Sequence, residues 1–302
     1  MTYLTKEDWS NYFVQKISDD KSFSENLKQN IIIQNTFIRL ISKILTCQKN
    51  AEKKLSQKIL ISSMIYFHKY ILFNNISYFN LSSLDKLILY CSCIFISFKA
   101  SNKLIDINIL SSKYQPYFNK YKIYEIEEIK DLIIQKEFDI LISIEFNMAI
   151  DWPYEILNFL KIYLKKLDKG NDTIIKIINY VNLNINDSIL FPLCLYYTPN
   201  EIVFSCILLA IKKYNLDFIN INDLIKLKKY NININKDNIN ECAIFISKII
   251  IYKNNLIDKN NNINNNNNKP NIQCENNNGN FLQNDKDNLN IKKIAIIQTN
   301  DN

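Results

Sequence analysis

The chain has 302 residues, of which 47% are hydrophobic and 12% aromatic, so it can hold two globular domains that each bury a core. It contains only two glycines, Gly170 and Gly279, and one histidine, His68. Phosphate-cradling and dinucleotide-binding loops need several glycines in a short span, which excludes P-loop and Rossmann enzymes, and any Ser-His or Cys-His dyad would have to use His68. The net charge of +7 comes from scattered lysines, which suits an acidic partner surface or solubility and is weak support for nucleic-acid binding.

The segment from Met1 to Trp9 shows no basic stretch followed by an apolar run, so no secretory signal is expected. Thr5 and Asp8 read as the start of a short helix reaching about Ile17, and Ser24 with Glu25 as the start of a second that leads through Ile31 to Leu45. Helices follow at Ser56 to Phe73 and Ser83 to Lys99. In the latter, Leu84, Leu87, Ile88, Cys91, Ile94, Phe95 and Phe98 keep the three-to-four spacing. His68 lies in the apolar run Met64 to Tyr70 and reads as a packed core residue. A short helix at Asp106 to Ser112 precedes a loop with Pro116, and Tyr124 to Glu145 forms the longest periodic stretch. The apolar run from Leu87 to Phe98 is twelve residues, too short to span a bilayer, so a soluble intracellular protein without membrane association is expected.

Asp151-Trp152-Pro153 marks a break, because the residue before a proline leaves the helical region. A second series follows at Tyr154 to Leu167, Asn171 to Leu190, Pro199 to Tyr214, Asn222 to Lys229 and Lys236 to Tyr252. From Asn254 the chain is asparagine-rich and is expected to be a disordered spacer, although Ile291 to Ile297 could order on a partner. The seven cysteines, at 47, 91, 93, 194, 206, 242 and 274, form no CxxC pair and read as free thiols in a reducing compartment. Neither metal nor cofactor is expected.

The second series repeats the first. The octet Ser92-Cys93-Ile94-Phe95-Ile96-Ser97-Phe98-Lys99 returns as Ser205-Cys206-Ile207-Leu208-Leu209-Ala210-Ile211-Lys212, and Tyr70-Ile71-Leu72-Phe73 is echoed by Ser188-Ile189-Leu190-Phe191. Duplication at this distance predicts an all-α protein of two tandem five-helix repeats, a scaffold and not an enzyme. The divisions are residues 1–29 for an N-terminal helical extension, 30–150 and 151–253 for the repeats, and 254–302 for the tail.

Two charges interrupt apolar patterns. Lys99 ends the most hydrophobic helix, and Glu137 occupies the stripe of Ile126, Ile129, Ile133, Ile140 and Ile144. A carboxylate there must be paired or must face a surface that another molecule covers. Spacing alone favours an internal Lys99–Glu137 pair, or a helix rotated toward water, over presentation of both charges to a partner. Glu127-Glu128 and Asp19-Asp20 are sequence neighbours on solvated faces and suggest no acid–base chemistry.

Leu55-Ser56-Gln57, the run Met64 to Tyr70, and Cys93 to Lys99 together resemble the first cyclin box, in which an aromatic-basic-aromatic helix precedes a hydrophobic helix ending in Lys. Glu137, nine residues before Phe146-Asn147-Met148, is similar to the family's second signature. Trp152-Pro153-Tyr154, Asn186-Asp187-Ser188 and Leu195 to Ile202 resemble the opening and matching stretches of the second box in transcriptional cyclins. The likeness covers about residues 30 to 252. Within that branch Phe73-Asn74-Asn75-Ile76, Tyr197-Thr198-Pro199 and the extra N-terminal helix look most like cyclin H, with the C, K, T and L types sharing many of these marks.

The resemblance implies two cyclin-fold repeats and a non-catalytic regulatory subunit of a cyclin-dependent kinase, of the CDK-activating and RNA polymerase II tail-phosphorylating type. It implies that Lys99 and Glu137 touch the kinase near its C-helix. Phe138, Leu141, Phe146 and Met148 would line the apolar part of the contact, and Ala100 would stand at a further contact position. Ala100-Ser101 lacks the acids that usually follow the Lys, and Phe98 replaces a small residue. The implied partners are the kinase subunit, a RING-finger assembly factor and general transcription factor IIH, in the nucleus, with no direct nucleic-acid contact. Charge reversal at Lys99 or Glu137 is expected to weaken that binding with the helical fold intact. The rival is the same fold used as a TFIIB- or BRF-like DNA-binding factor. Those proteins carry a zinc ribbon and strongly basic repeats, and neither is present in this sequence.

Overall fold

The computed structural model describes residues 19–45, 53–150, 154–166, 171–216 and 235–267, and every regular element among them is helical. The expected helices at 5–17 and 222–229, the break at 151–153, Cys47, Cys274 and residues 268–302 lie outside the described residues.

The first repeat comprises α1 (Asp20–Leu45), α2 (Lys53–Phe73), α3 (Ser83–Ala100), α4 (Ile107–Phe118) and α5 (Ile126–Ser143). The second contains α6 (Tyr154–Lys166), α7 (Asn171–Ser188), α8 (Pro199–Tyr214) and α9 (Lys236–Asn267). A helix buried all round must be apolar all round, and the repeated octet supplies that helix twice. Every residue of α3 from Ile88 to Phe98 is buried, and so is every residue of α8 from Glu201 to Ile207. The other helices of each repeat pack around these two.

Local chemistry sets the boundaries. Thr198 and Glu201 form a reciprocal capping box with Pro199 in the first turn, so α8 runs over the expected Pro199 to Tyr214 and stops where Asn215 turns left-handed. Three boundaries differ from expectation by four residues or more. Helix α1 begins at Asp20, because the Asp19 carboxylate accepts the Ser22 N–H at 2.7 Å and caps it earlier than Ser24 would. Helix α4 continues through Pro116, which sits in the last turn, where a missing N–H removes only one bond. Helix α9 passes Tyr252 and reaches Asn267, into the segment read as a spacer; Leu256 continues its contact with the second core.

Two hydrophobic cores form, one per repeat, and α1 serves both. Its residues Ile33 to Leu45 lie in the first core, whereas Phe23 and Leu27 are fully buried in the second. The Phe23 ring stacks on Phe191 at 5.1 Å, meets Phe245 and Tyr252 at 5.8 and 5.2 Å, and is covered by the Lys248 ammonium at 4.5 Å. Gln57 in α2 adds a bond to the Asn186 side-chain oxygen at 2.8 Å.

His68 lies at the same junction as the packed residue expected. Its Nε2 is 3.0 Å from the Ile189 carbonyl, so Nε2 carries the proton, and burial pushes its pKa down to about 4. The unfolded chain takes up a proton on this ring near pH 6.5, which the folded chain refuses until about pH 4. Stability present above pH 6.5 is therefore expected to fall between pH 6.5 and 4, by about 2 kcal/mol at pH 5. Urea unfolding of wild type and His68→Gln across that range should show a slope that the variant loses. The free thiols of Cys91, Cys93, Cys206 and Cys242 are buried, and burial raises the pKa of each.

Candidate functional site

The last turn of α3 and the middle of α5 bring Lys99 and Glu137 together. Helix α3 ends through Asn102, whose left-handed φ of 54° suits asparagine and lets the Lys103 N–H return to the Phe98 carbonyl at 3.1 Å. Lys99 thus stands in the last turn, where a cation faces the negative end of the helix. Glu137 is buried because its neighbours on the stripe, Ile133 and Ile140, are core residues.

Lys99 Nζ lies 2.8 and 3.0 Å from the two Glu137 carboxylate oxygens and 4.1 Å from the centre of the Phe95 ring. The Glu137 side chain is 8% exposed and the Lys99 side chain 39%. One ammonium thus neutralises a buried carboxylate and keeps its outer side open. The internal pair favoured by spacing is present, in a form that also leaves Lys99 facing out. Because Glu137 is buried and Lys99 is its counter-ion, charge reversal at either position would strike the fold as well as any partner. Removing Lys99 leaves a buried charge uncompensated, which costs about 3–5 kcal/mol when fully sequestered and less at a half-open site. Lys99→Ala is expected to destabilise the chain by about 2 kcal/mol, and the pair Lys99→Met with Glu137→Leu to recover most of it, read by denaturant midpoints.

Beside this pair the chain exposes apolar side chains it could have hidden. Phe138 and Phe146 are 57% and 59% exposed and meet edge to face at 6.3 Å. The contact exists because α5 closes with two consecutive left-handed residues, Glu145 (φ 53°) and Phe146 (φ 55°). The Phe146 N–H donates to the Leu141 carbonyl at 2.7 Å, which folds the ring back over α5. Neither residue is a glycine, and such conformations cost roughly 1 kcal/mol or more each. Strained backbone and exposed aromatic rings together make this face the candidate contact surface.

Met148 is also exposed, and its carbonyl accepts the hydroxyl of the buried Tyr66 at 2.7 Å. Leu141 and Ala100 are half-buried against the first core. The contacts link Lys99 to Glu137, and Phe138, Leu141 and Met148 to Phe146; Ala100 makes none of these bonds and adjoins Lys99 in sequence. Ile134 and Ile142 extend the exposed apolar strip along α5, and Tyr66 supports it from α2. Tyr66 belongs to the Met64 to Tyr70 run already noted, whereas the two isoleucines are not among the residues the sequence reading picks out. Ile134, Phe138 and Ile142 fall at successive four-residue steps, a second apolar stripe beside the core stripe that would have revealed them. Among the described residues no three His, Cys, Asp or Glu side chains gather as a metal site would require, and no helix is long and apolar enough to cross a membrane.

No protein-family model matches the chain, and no curated protein does. Solved structures do. A chain of the yeast TFIIK complex of Kin28, Ccl1 and Tfb3 superposes with a TM-score of 0.52 at 16% identity, over 82% of this chain and 96% of the other. A chain of the yeast RNA Pol II CTD kinase CTDK-1 complex superposes with a TM-score of 0.56 at 14% identity, over 82% of this chain and 72% of the other. At these identities the likeness is one of fold: the all-helical architecture of this chain is shared with chains of these two yeast complexes.

Proposed function

We propose that the chain is a cyclin, a non-catalytic regulatory subunit that binds and activates a cyclin-dependent kinase serving transcription. The observation that carries the reading is the Lys99–Glu137 pair flanked by the exposed Phe138–Phe146 edge, in a fold shared with chains of the yeast TFIIK and CTD kinase complexes. The cyclin H type, with a RING-finger assembly factor, transcription factor IIH and a nuclear location, is the specific form proposed; the C, K, T and L types are the alternative within the branch.

The mechanism needs no reacting group from this chain. A protein kinase works when its β-sheet lysine pairs with the C-helix glutamate and its activation loop is in place. A rigid helical face that binds only this arrangement shifts the population toward it by its differential affinity. Here rigidity comes from the buried Glu137, tied to α3 through Lys99, and from the Tyr66 bond that fixes the segment after α5. The outward side of Lys99 supplies a donor and the phenylalanines supply desolvated anchors.

The test is affinity purification of the native chain followed by mass spectrometry and a kinase assay on an RNA polymerase II tail peptide. A cyclin-dependent kinase should co-purify and lose activity when the chain is depleted. Recovery of no protein kinase, or salt-sensitive binding of promoter DNA by the chain alone, would overturn the proposal.

A further inference from the structure

The two repeats share one helix crossing, and it is in register. Ser92 and Ser205 open the two copies of the octet and are both fully buried. Each hydroxyl shares its proton between the carbonyl one turn back in its own helix and a carbonyl of the last helix of its repeat. For Ser92 these are Ile88 at 3.0 Å and Ile133 at 2.9 Å; for Ser205 they are Glu201 at 2.7 Å and Ile239 at 2.8 Å. These bonds make Ser92 equivalent to Ser205 and Ile133 to Ile239.

Counting from these points, Lys212 occupies the position of Lys99, Ala243 that of Glu137, and Ile244 that of Phe138. Two of the three features recur. Ile244 is 61% exposed, as Phe138 is 57% exposed, and Lys212 ends its helix as a cation. The third is missing, because Ala243 is buried and has no carboxylate to offer. Among the described residues Lys212 makes no hydrogen bond, ion pair or ring contact, whereas its neighbour Lys213 lies over the Tyr180 ring at 4.3 Å. Partial burial already lowers the pKa of the Lys212 amine, and no anion offsets it. The nearby Glu241 is engaged by the Tyr197 hydroxyl.

We propose that the Lys212–Ile244 face of the second repeat binds an acidic amphipathic segment of a partner protein. The partner's carboxylate pairs with the exposed Lys212 from outside, as Glu137 pairs with Lys99 from within, and its apolar side chains cover Ile244. Charge selects this occupant over two others. The apolar stretch of the chain's own tail, Ile291 to Ile297, carries Lys292 and Lys293, and a second copy of the chain brings a net charge of +7; both are repelled by an unpaired lysine. The proposal does not depend on kinase binding, which concerns the other repeat.

The experiment is fluorescence anisotropy on the full chain, with a labelled amphipathic helical peptide of glutamate and leucine and its lysine–leucine counterpart. The acidic peptide should bind wild type, more weakly as salt rises, and the basic one should not. Lys212→Glu should weaken the acidic peptide at least about tenfold and admit the basic one, and Ile244→Asp should weaken it similarly. Phe138→Asp should leave it unchanged. Both positions are exposed, and Lys212→Gln serves as a milder variant should the reversal unfold the chain, with an intermediate loss expected. Absence of acidic-peptide binding, equal binding by the Lys212 variants, or loss in Phe138→Asp instead would overturn the proposal.

Discussion

Phe138→Asp is expected to reduce kinase association by about 30- to 1,000-fold, the range that separates a buried aromatic anchor from a solvated carboxylate. The free chain should hardly notice. The Phe138 ring is more than half exposed and, among the described residues, its ring contact is Phe146, so the thermal midpoint should stay within a few degrees of wild type. Phe146→Gly separates the two roles further. Glycine relaxes the left-handed conformation, so stability should hold or rise while affinity for the kinase falls. Calorimetric titration against the co-purifying kinase, paired with circular-dichroism melts, reads both quantities. Unchanged affinity in both variants would remove this face from the interface.

Phe23→Ala is expected to cost about 3–5 kcal/mol of stability, the usual consequence of emptying a fully buried aromatic site. The ring is packed against Phe191, Phe245 and Tyr252 with Lys248 above it, so little can collapse into the space. Lys248 would lose the Phe23 ring yet keep Asp20 at 3.2 Å and the Tyr252 ring at 5.9 Å, which makes loss of packing the main effect. Denaturant unfolding should show an earlier midpoint, and the loosening should be greatest in α9. Hydrogen exchange along α9 would reveal whether that helix is the first to open, and uniform protection in the variant would refute this account.

Much of the helical scaffold was legible because the signals are local. The Thr198/Glu201 box with Pro199 determines the start of α8, and the glycine-poor, three-to-four periodic stretches leave no room for strands. Duplication was legible because the central helix of each repeat must be apolar on every side, a demand that keeps the octets alike. Other features depend on distant parts of the chain. The Asp19 cap that opens α1 is local, but the burial of Phe23 among rings of the second repeat is not. The exposure of Phe138 and the turn at Phe146 are unreadable from propensity, since local rules place aromatic rings inside and reserve left-handed conformations for glycine or asparagine. For Glu137, an apolar stripe showed that a partner was needed, and packing of α3 on α5 determined that Lys99 fills the role within the chain.

The split allegiance of α1 also bears on how the protein is made. Phe23 and Leu27 leave the ribosome long before their companions Phe191 and Phe245. The first repeat can close around Phe37 and Tyr66 while the front of α1 still has nothing to cover it. A nascent chain in that state displays an uncovered greasy edge throughout synthesis of the second repeat, the kind of surface that chaperones hold and that drives aggregation when they are scarce. Folding is completed only when α9 arrives, so chains truncated before it should be synthesised yet fail to accumulate.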